Sequence, residues 1–69
     1  MNRNEVIEAW QRTLDEIAAL NRRIDTCDLL IVYHRTHPTL VRLIDEIKRD
    51  YQARLSRAIE RKERMSEQI

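Results

Sequence analysis

A chain of 69 residues with no glycine and one proline, Pro38, has very few ways to turn. Glycine is the default residue wherever a backbone must take positive φ or press its amides against a ligand. Phosphate-cradling loops of the nucleotide-binding kind are therefore excluded. What remains is a chain of long regular segments broken once, near its middle.

Both segments read as helices. In the first half, Ile7, Trp10, Leu14, Ile17, Ile24 and Ile31 follow a three-four spacing that places them on one side of an α-helix. Asn21 and Asp28 fill the gaps in that stripe, and Leu20 and Cys27 widen it on one flank. Polar residues at interior heptad positions lower stability but fix register and partner number. In the second half the apolar positions run Ile44, Ile47, Tyr51, Leu55, Ala58, Met65 and Ile69. The steps from Ile44 to Leu55 make an eleven-residue unit, which implies a locally straightened supercoil.

Between the stripes lies His34-Arg35-Thr36-His37-Pro38-Thr39. Pro38 lacks an N–H and pushes His37 out of helical geometry, while Thr36 or His37 can cap the second helix. The spacing predicts one domain over 1–69, with a helix over about 2–33, a turn over about 34–38 and a helix over about 39–67. So short a connection forces the helices antiparallel, and the expected fold is an all-α two-helix hairpin. Four-apart acid-to-base pairs, Glu8 to Arg12, Asp45 to Arg49, Asp50 to Arg54 and Glu60 to Arg64, are expected on the exposed faces.

A chain below about 70 to 80 residues gains little net stability from its own core unless it is stapled or oligomeric. Cys27 is the only cysteine, so no internal disulfide is available. A homodimer forming a four-helix bundle is the expectation, with Trp10, Leu14, Ile17, Ile24, Ile31, Ile44, Ile47, Tyr51 and Leu55 as its core. The longest apolar run is Leu29-Leu30-Ile31-Val32-Tyr33, far short of the roughly 20 residues of a membrane span. The opening residues carry no signal-peptide pattern, so a cytoplasmic setting without membrane partners is expected.

Two features depart from a plain bundle. Apolar residues take 11 of the 21 positions from Cys27 to Ile47 but 7 of the 22 from Lys48 to Ile69. Leu29 and Leu30 point away from the stripe of Ile24 and Ile31, so either a second protomer or a different protein must cover that part of the tip. The other feature is arginine, which supplies 11 of the 13 basic residues and binds carboxylates and phosphates bidentately. Arg54, Arg57, Arg61 and Arg64 line one flank of the second helix, while the charge sums to −2 over 1–34 and +3 over 35–69. That flank can pair with the acidic first helix, dock an acidic partner, or meet nucleic acid.

Reactive constellations are sparse. His34 and His37 with Cys27 and Asp28 are the available metal-ligand types, but they straddle a helix end and a proline and lack zinc-site spacing. Cys27 and His34 could form a nucleophile pair, yet nothing supplies an oxyanion hole. No metal, cofactor or catalytic residue is expected. The run Leu20-Asn21-Arg22-Arg23-Ile24-Asp25 is similar to the Leu-Arg-x-x-Ile-Asp start of the long helix in small all-helical chorismate mutases. Asn21 stands where that family has its substrate-binding arginine, and Asp28 to Arg35 is too short a spacing for the next one, so the resemblance implies no catalytic site here.

By subtraction, the functional expectation is a non-enzymatic regulator that binds another protein and masks or inhibits it. Small phage- or plasmid-type inhibitors and secretion-type chaperones use this format. The expected protein-binding residues are Leu30, Tyr33, His34, Arg35 and His37 at the tip and Arg57, Arg61 and Arg64 on the flank. The alternative is a dimeric hairpin that binds RNA or DNA through the arginine face, in a format that resembles the small plasmid copy-number regulators. Against it, the net charge is only +1, Glu60, Glu63 and Glu67 interrupt the basic helix, and no aromatic residue alternates with the arginines.

Overall fold

The computed structural model describes residues 2–69 and consists of two helices, α1 (Arg3–Tyr33) and α2 (Pro38–Ser66). They lie antiparallel in a rod whose principal extents are 52 × 14 × 13 Å. Among the described residues there is no strand.

Each helix end has a local cause. Asn2 caps α1: its Oδ1 accepts from the Glu5 N–H at 2.9 Å, and the Glu5 carboxylate accepts from the Asn2 N–H at 3.4 Å. Two orphan donors of the first turn are thereby satisfied reciprocally. At the other end the His34 N–H still donates to the Leu30 carbonyl at 2.9 Å, after which the backbone leaves helical geometry. His37 is the N-cap of α2, but neither its side chain nor that of Thr36 makes a capping bond. The start is set instead by Pro38 at the first helical position, whose fixed φ suits a helix and whose missing N–H would have been unpaired there. No described residue takes positive φ, which is how a chain without glycine completes its bend.

The interior is a single seam. On α1 the buried residues are Val6, Thr13, Leu20 and Cys27, a strict seven-residue repeat, with Trp10, Ile17, Ile24 and Ile31 half-buried between them. The seam thus lies one residue round from the stripe expected from Ile7 and Leu14. Leu20 and Cys27, expected on a flank, are its centre, and within the hairpin Asn21 and Asp28 are exposed. On α2, Ile44 and Ala58 are buried, and Val41, Lys48, Tyr51, Leu55, Lys62 and Met65 are half-buried between and around them. The eleven-residue irregularity expected there is absent. Lys48 takes the seam position and Ile47 turns outward, so the repeat stays regular.

Lys48 can sit in the seam because its stem is apolar and its ammonium reaches the edge. There its Nζ meets Asp28 Oδ1 at 2.6 Å, and this hydrogen bond holds the ammonium pKa above its ordinary 10.5. Thr13 is accommodated by donating to the Ala9 carbonyl at 2.9 Å, with Met65 Sδ at 3.7 Å. Ala58, fully buried at 0% exposure, lets the backbones approach closely. Among the described residues no large side chain is fully buried, because two helices cannot enclose one.

Candidate protein-binding face

Leu30, on the flank of α1 beside the seam, lines a hollow with Arg23, Thr26, Ile44, Ile47 and Tyr51. On α2 the same flank carries Leu40, Leu43 and Ile47, at steps of three and four residues, and all three are exposed. Leu43 is 51% and Ile47 50% exposed, unusual for large aliphatic side chains side by side. Leu29 and Val32 are also exposed but lie 100° or more round α1 from Leu30 at the helical repeat. The apolar tip residues therefore divide between two sides, with the larger group on the α2 flank.

Further along that flank the chemistry changes sign. Tyr51 is bracketed by guanidiniums, Arg23 at 5.6 Å and Arg54 at 6.0 Å from the ring centroid. Beyond it a shallow hollow is lined by Arg54, Arg57, Glu60, Arg61 and Arg64 with Glu16 of α1. Arg54 pairs with Asp50 at 3.1 Å, Arg61 with Glu16 at 3.0 Å and Arg64 with Glu60 at 3.8 Å, whereas among the described residues Arg57 makes no salt bridge. Asp45 and Arg49 close at 3.1 Å, but Glu8 and Arg12, expected to do the same, do not. Part of the arginine flank is thus engaged by acidic residues of both helices. Such exposed pairs contribute about 0 to 1 kcal/mol each.

The bend places Tyr33, His34 and His37 in a chain, with ring centroids 6.1 Å apart for the first pair and 6.3 Å for the second. Tyr33 is 86% exposed, Arg35 and His37 are exposed, and His34 is half-buried. His34 and His37 also line a hollow with Pro38, Leu40 and Leu43, which connects the bend to the apolar flank. Among the described residues no group of three His, Cys, Asp or Glu side chains is placed to hold a metal ion, and Cys27 is buried.

The expected site residues thus fall into two sets. Leu30 joins the apolar flank and the bend, while Arg57, Arg61 and Arg64 sit together on the stem. Of the expected dimer core, Trp10, Leu14, Ile17, Ile24, Ile31, Tyr51 and Leu55 are half-buried and Ile44 is buried inside the hairpin, leaving Ile47 as the member most open to a partner. Trp10 faces the far end of α2, where its Nε1 donates to Ser66 Oγ at 3.1 Å. Leu40 and Leu43 were not among the expected binding residues. Their spacing relative to Ile47 carried the signal, since three apolar residues at steps of three and four mark a face of their own beside the seam.

No protein-family model matches the chain, and the comparisons with curated proteins and solved structures found no match. Among the described residues no helix is long and apolar enough to cross a membrane.

Proposed function

We propose that this chain is a small non-enzymatic interaction module that pairs with itself into a four-helix assembly and binds another protein, masking or inhibiting it. The observation that carries this reading is one continuous face whose apolar tip, with Leu40, Leu43 and Ile47 exposed, suits self-pairing and whose stem, with Arg54, Arg57, Arg61 and Arg64, is left for the other protein. An apolar core beside arginine and tyrosine is the composition of protein-binding surfaces, where aromatic residues and arginine dominate the energetics. Tyr33, Arg35 and His37 extend the surface around the bend, where exposed side chains are held by two rigid helices. The setting is cytoplasmic, in keeping with a lone unpaired cysteine.

A second reading, binding of RNA or DNA, draws on the arginine flank alone. Glu16 and Glu60 within that flank weigh against it, because phosphate affinity rises with the number of uncompensated cations. Affinity capture of the tagged chain from its native lysate, with and without nuclease, separates the two. A stoichiometric protein retained after nuclease is expected. Loss of all bound protein on digestion, with nucleic acid captured instead, would replace the first reading with the second.

A further inference from the structure

We infer that the second copy docks tip on tip, about a two-fold axis that crosses the helices near Leu30 and Ile47, and that it leaves Arg57, Arg61 and Arg64 of both copies outside the contact. This rests on the proposed self-association and adds the face and the orientation.

The first argument is area. The chain exposes 5565 Å², whereas a compact monomer of its mass exposes roughly 4,600 Å². The excess, on the order of 900 Å², is surface that a second copy can cover in part, one partner's share of a standard interface being about 800 Å². The largest aliphatic side chains contributing to it on one side are Leu30, Leu40, Leu43 and Ile47.

Charge then selects among the symmetric arrangements, since a two-fold interface sets the same patch against itself. With the hairpins parallel and fully overlapped, the two rows of Arg54, Arg57, Arg61 and Arg64 would lie side by side. Glu16, Asp50 and Glu60 compensate only part of each row, and like charges brought together across an interface are strongly unfavourable. With the hairpins antiparallel and fully overlapped, Leu40, Leu43 and Ile47 of each copy would cover the arginines of the other. The ion pairs of Arg54, Arg61 and Arg64 would lose water, and Arg57 would be buried as an unpaired charge. Sliding the antiparallel copies until only the tips overlap keeps Arg57, Arg61 and Arg64 of both copies in water, with Glu46 and Asp50 as the carboxylates that border Leu43 and Ile47. The midpoint of the run from Leu40 to Tyr51 then lies on the axis, level with Leu30, which lines the same hollow as Ile47.

The resulting contact is about 30 Å long at a rise of 1.5 Å per residue, which places it at the low end of specific interfaces. Such an interface gives a reversible dimer rather than an obligate one. Its two stems point in opposite directions, so each dimer carries two separated arginine flanks available to a further partner.

Spin labels on Arg64→Cys in a Cys27→Ala background, with helicity matched to the unlabelled chain, report the orientation by pulsed electron resonance. Tip-on-tip docking predicts a label separation of about 54 Å, against about 36 Å for full antiparallel overlap and about 10 Å for the parallel pair. Small-angle scattering of the unmodified dimer provides a check free of substitutions. A maximum dimension of roughly 75 Å is expected, whereas a particle little longer than the 52 Å rod overturns the orientation. Ile47→Glu, at an exposed site that leaves the hairpin intact, should weaken the dimer about 100-fold or more. A dimer with a shorter label separation would refute tip-on-tip docking while leaving self-association standing. A particle that remains monomeric at high concentration would refute both.

Discussion

The tip and the stem of this hairpin are made from the same two helices, yet the stem covers most of its apolar surface, leaving Ile69 exposed beside a hollow lined by Ile7 and Trp10 at its end. In the stem, Arg61 reaches across to Glu16, Trp10 donates to Ser66, Thr13 meets Met65, and Ala58 is completely enclosed. At the tip the cross-helix ion pair is Lys48 with Asp28, and around it Leu29, Leu30, Val32, Tyr33, Leu40, Leu43 and Ile47 remain exposed. A two-helix rod offers each helix one covered side. Where the sequence puts polar residues on the remaining sides the hairpin is complete, and where it puts leucine and isoleucine there the hairpin is half of something larger.

The sharpest way to break this contrast is at Ala58. Ala58→Leu pushes the helices apart in the stem and should destabilise the fold by about 1 to 3 kcal/mol, at every protein concentration. Thermal unfolding followed by circular dichroism measures it, and an unchanged midpoint would mean that the seam does not hold the stem together. Leu43→Glu is the matching change at the tip. It should leave monomer helicity intact, since Leu43 is half exposed, but abolish the rise of the unfolding midpoint with concentration. If the midpoint instead falls at low concentration too, Leu43 belongs to the fold and not to an interface.

Smaller effects sharpen the comparison further. Asn2→Ala removes the capping box at the stem end and should cost about 1 kcal/mol, with faster amide exchange confined to the first turn of α1. The Lys48 pair should show itself through pH. Its folded pKa is raised above 10.5, so its contribution is fully present below that value and is lost as pH climbs through the raised one. Lys48→Met should therefore remove a small alkaline loss of stability that the unmodified chain shows above about pH 10.5, where the difference between the two melting curves reads it. Identical alkaline profiles would leave the Lys48 to Asp28 contact without a role in the fold.

The elements are legible in the sequence because their causes are local. Pro38, the absence of glycine and two apolar periodicities suffice to place a bend between two long helices. Helix phase is less legible. Ile7 and Leu14 look like core by hydropathy and Thr13 does not, yet Thr13 is buried because its hydroxyl is satisfied by the Ala9 carbonyl. Hydropathy favours Ile47 over Lys48 on the same ground, although a lysine stem fills a seam position as readily as an aliphatic residue when its ammonium finds a carboxylate. The excess of apolar residues near the tip is visible in the sequence. Which of them share a face depends on that phase, so Leu40 and Leu43 emerge only once the seam is known. Arg61 with Glu16 is equally out of reach, since periodicity gives faces and leaves cross-helix neighbours undetermined.

That the tip is the half of the hairpin left for a second copy is tested most directly by sedimentation velocity on the unmodified chain between about 1 and 100 μM, a range that brackets reversible association through a small interface. The expected result is a shift from one hairpin to two across that range, lost in Leu43→Glu at unchanged helicity. A fully helical species that stays a single hairpin at every concentration would contradict it, and would leave the apolar tip to a different protein.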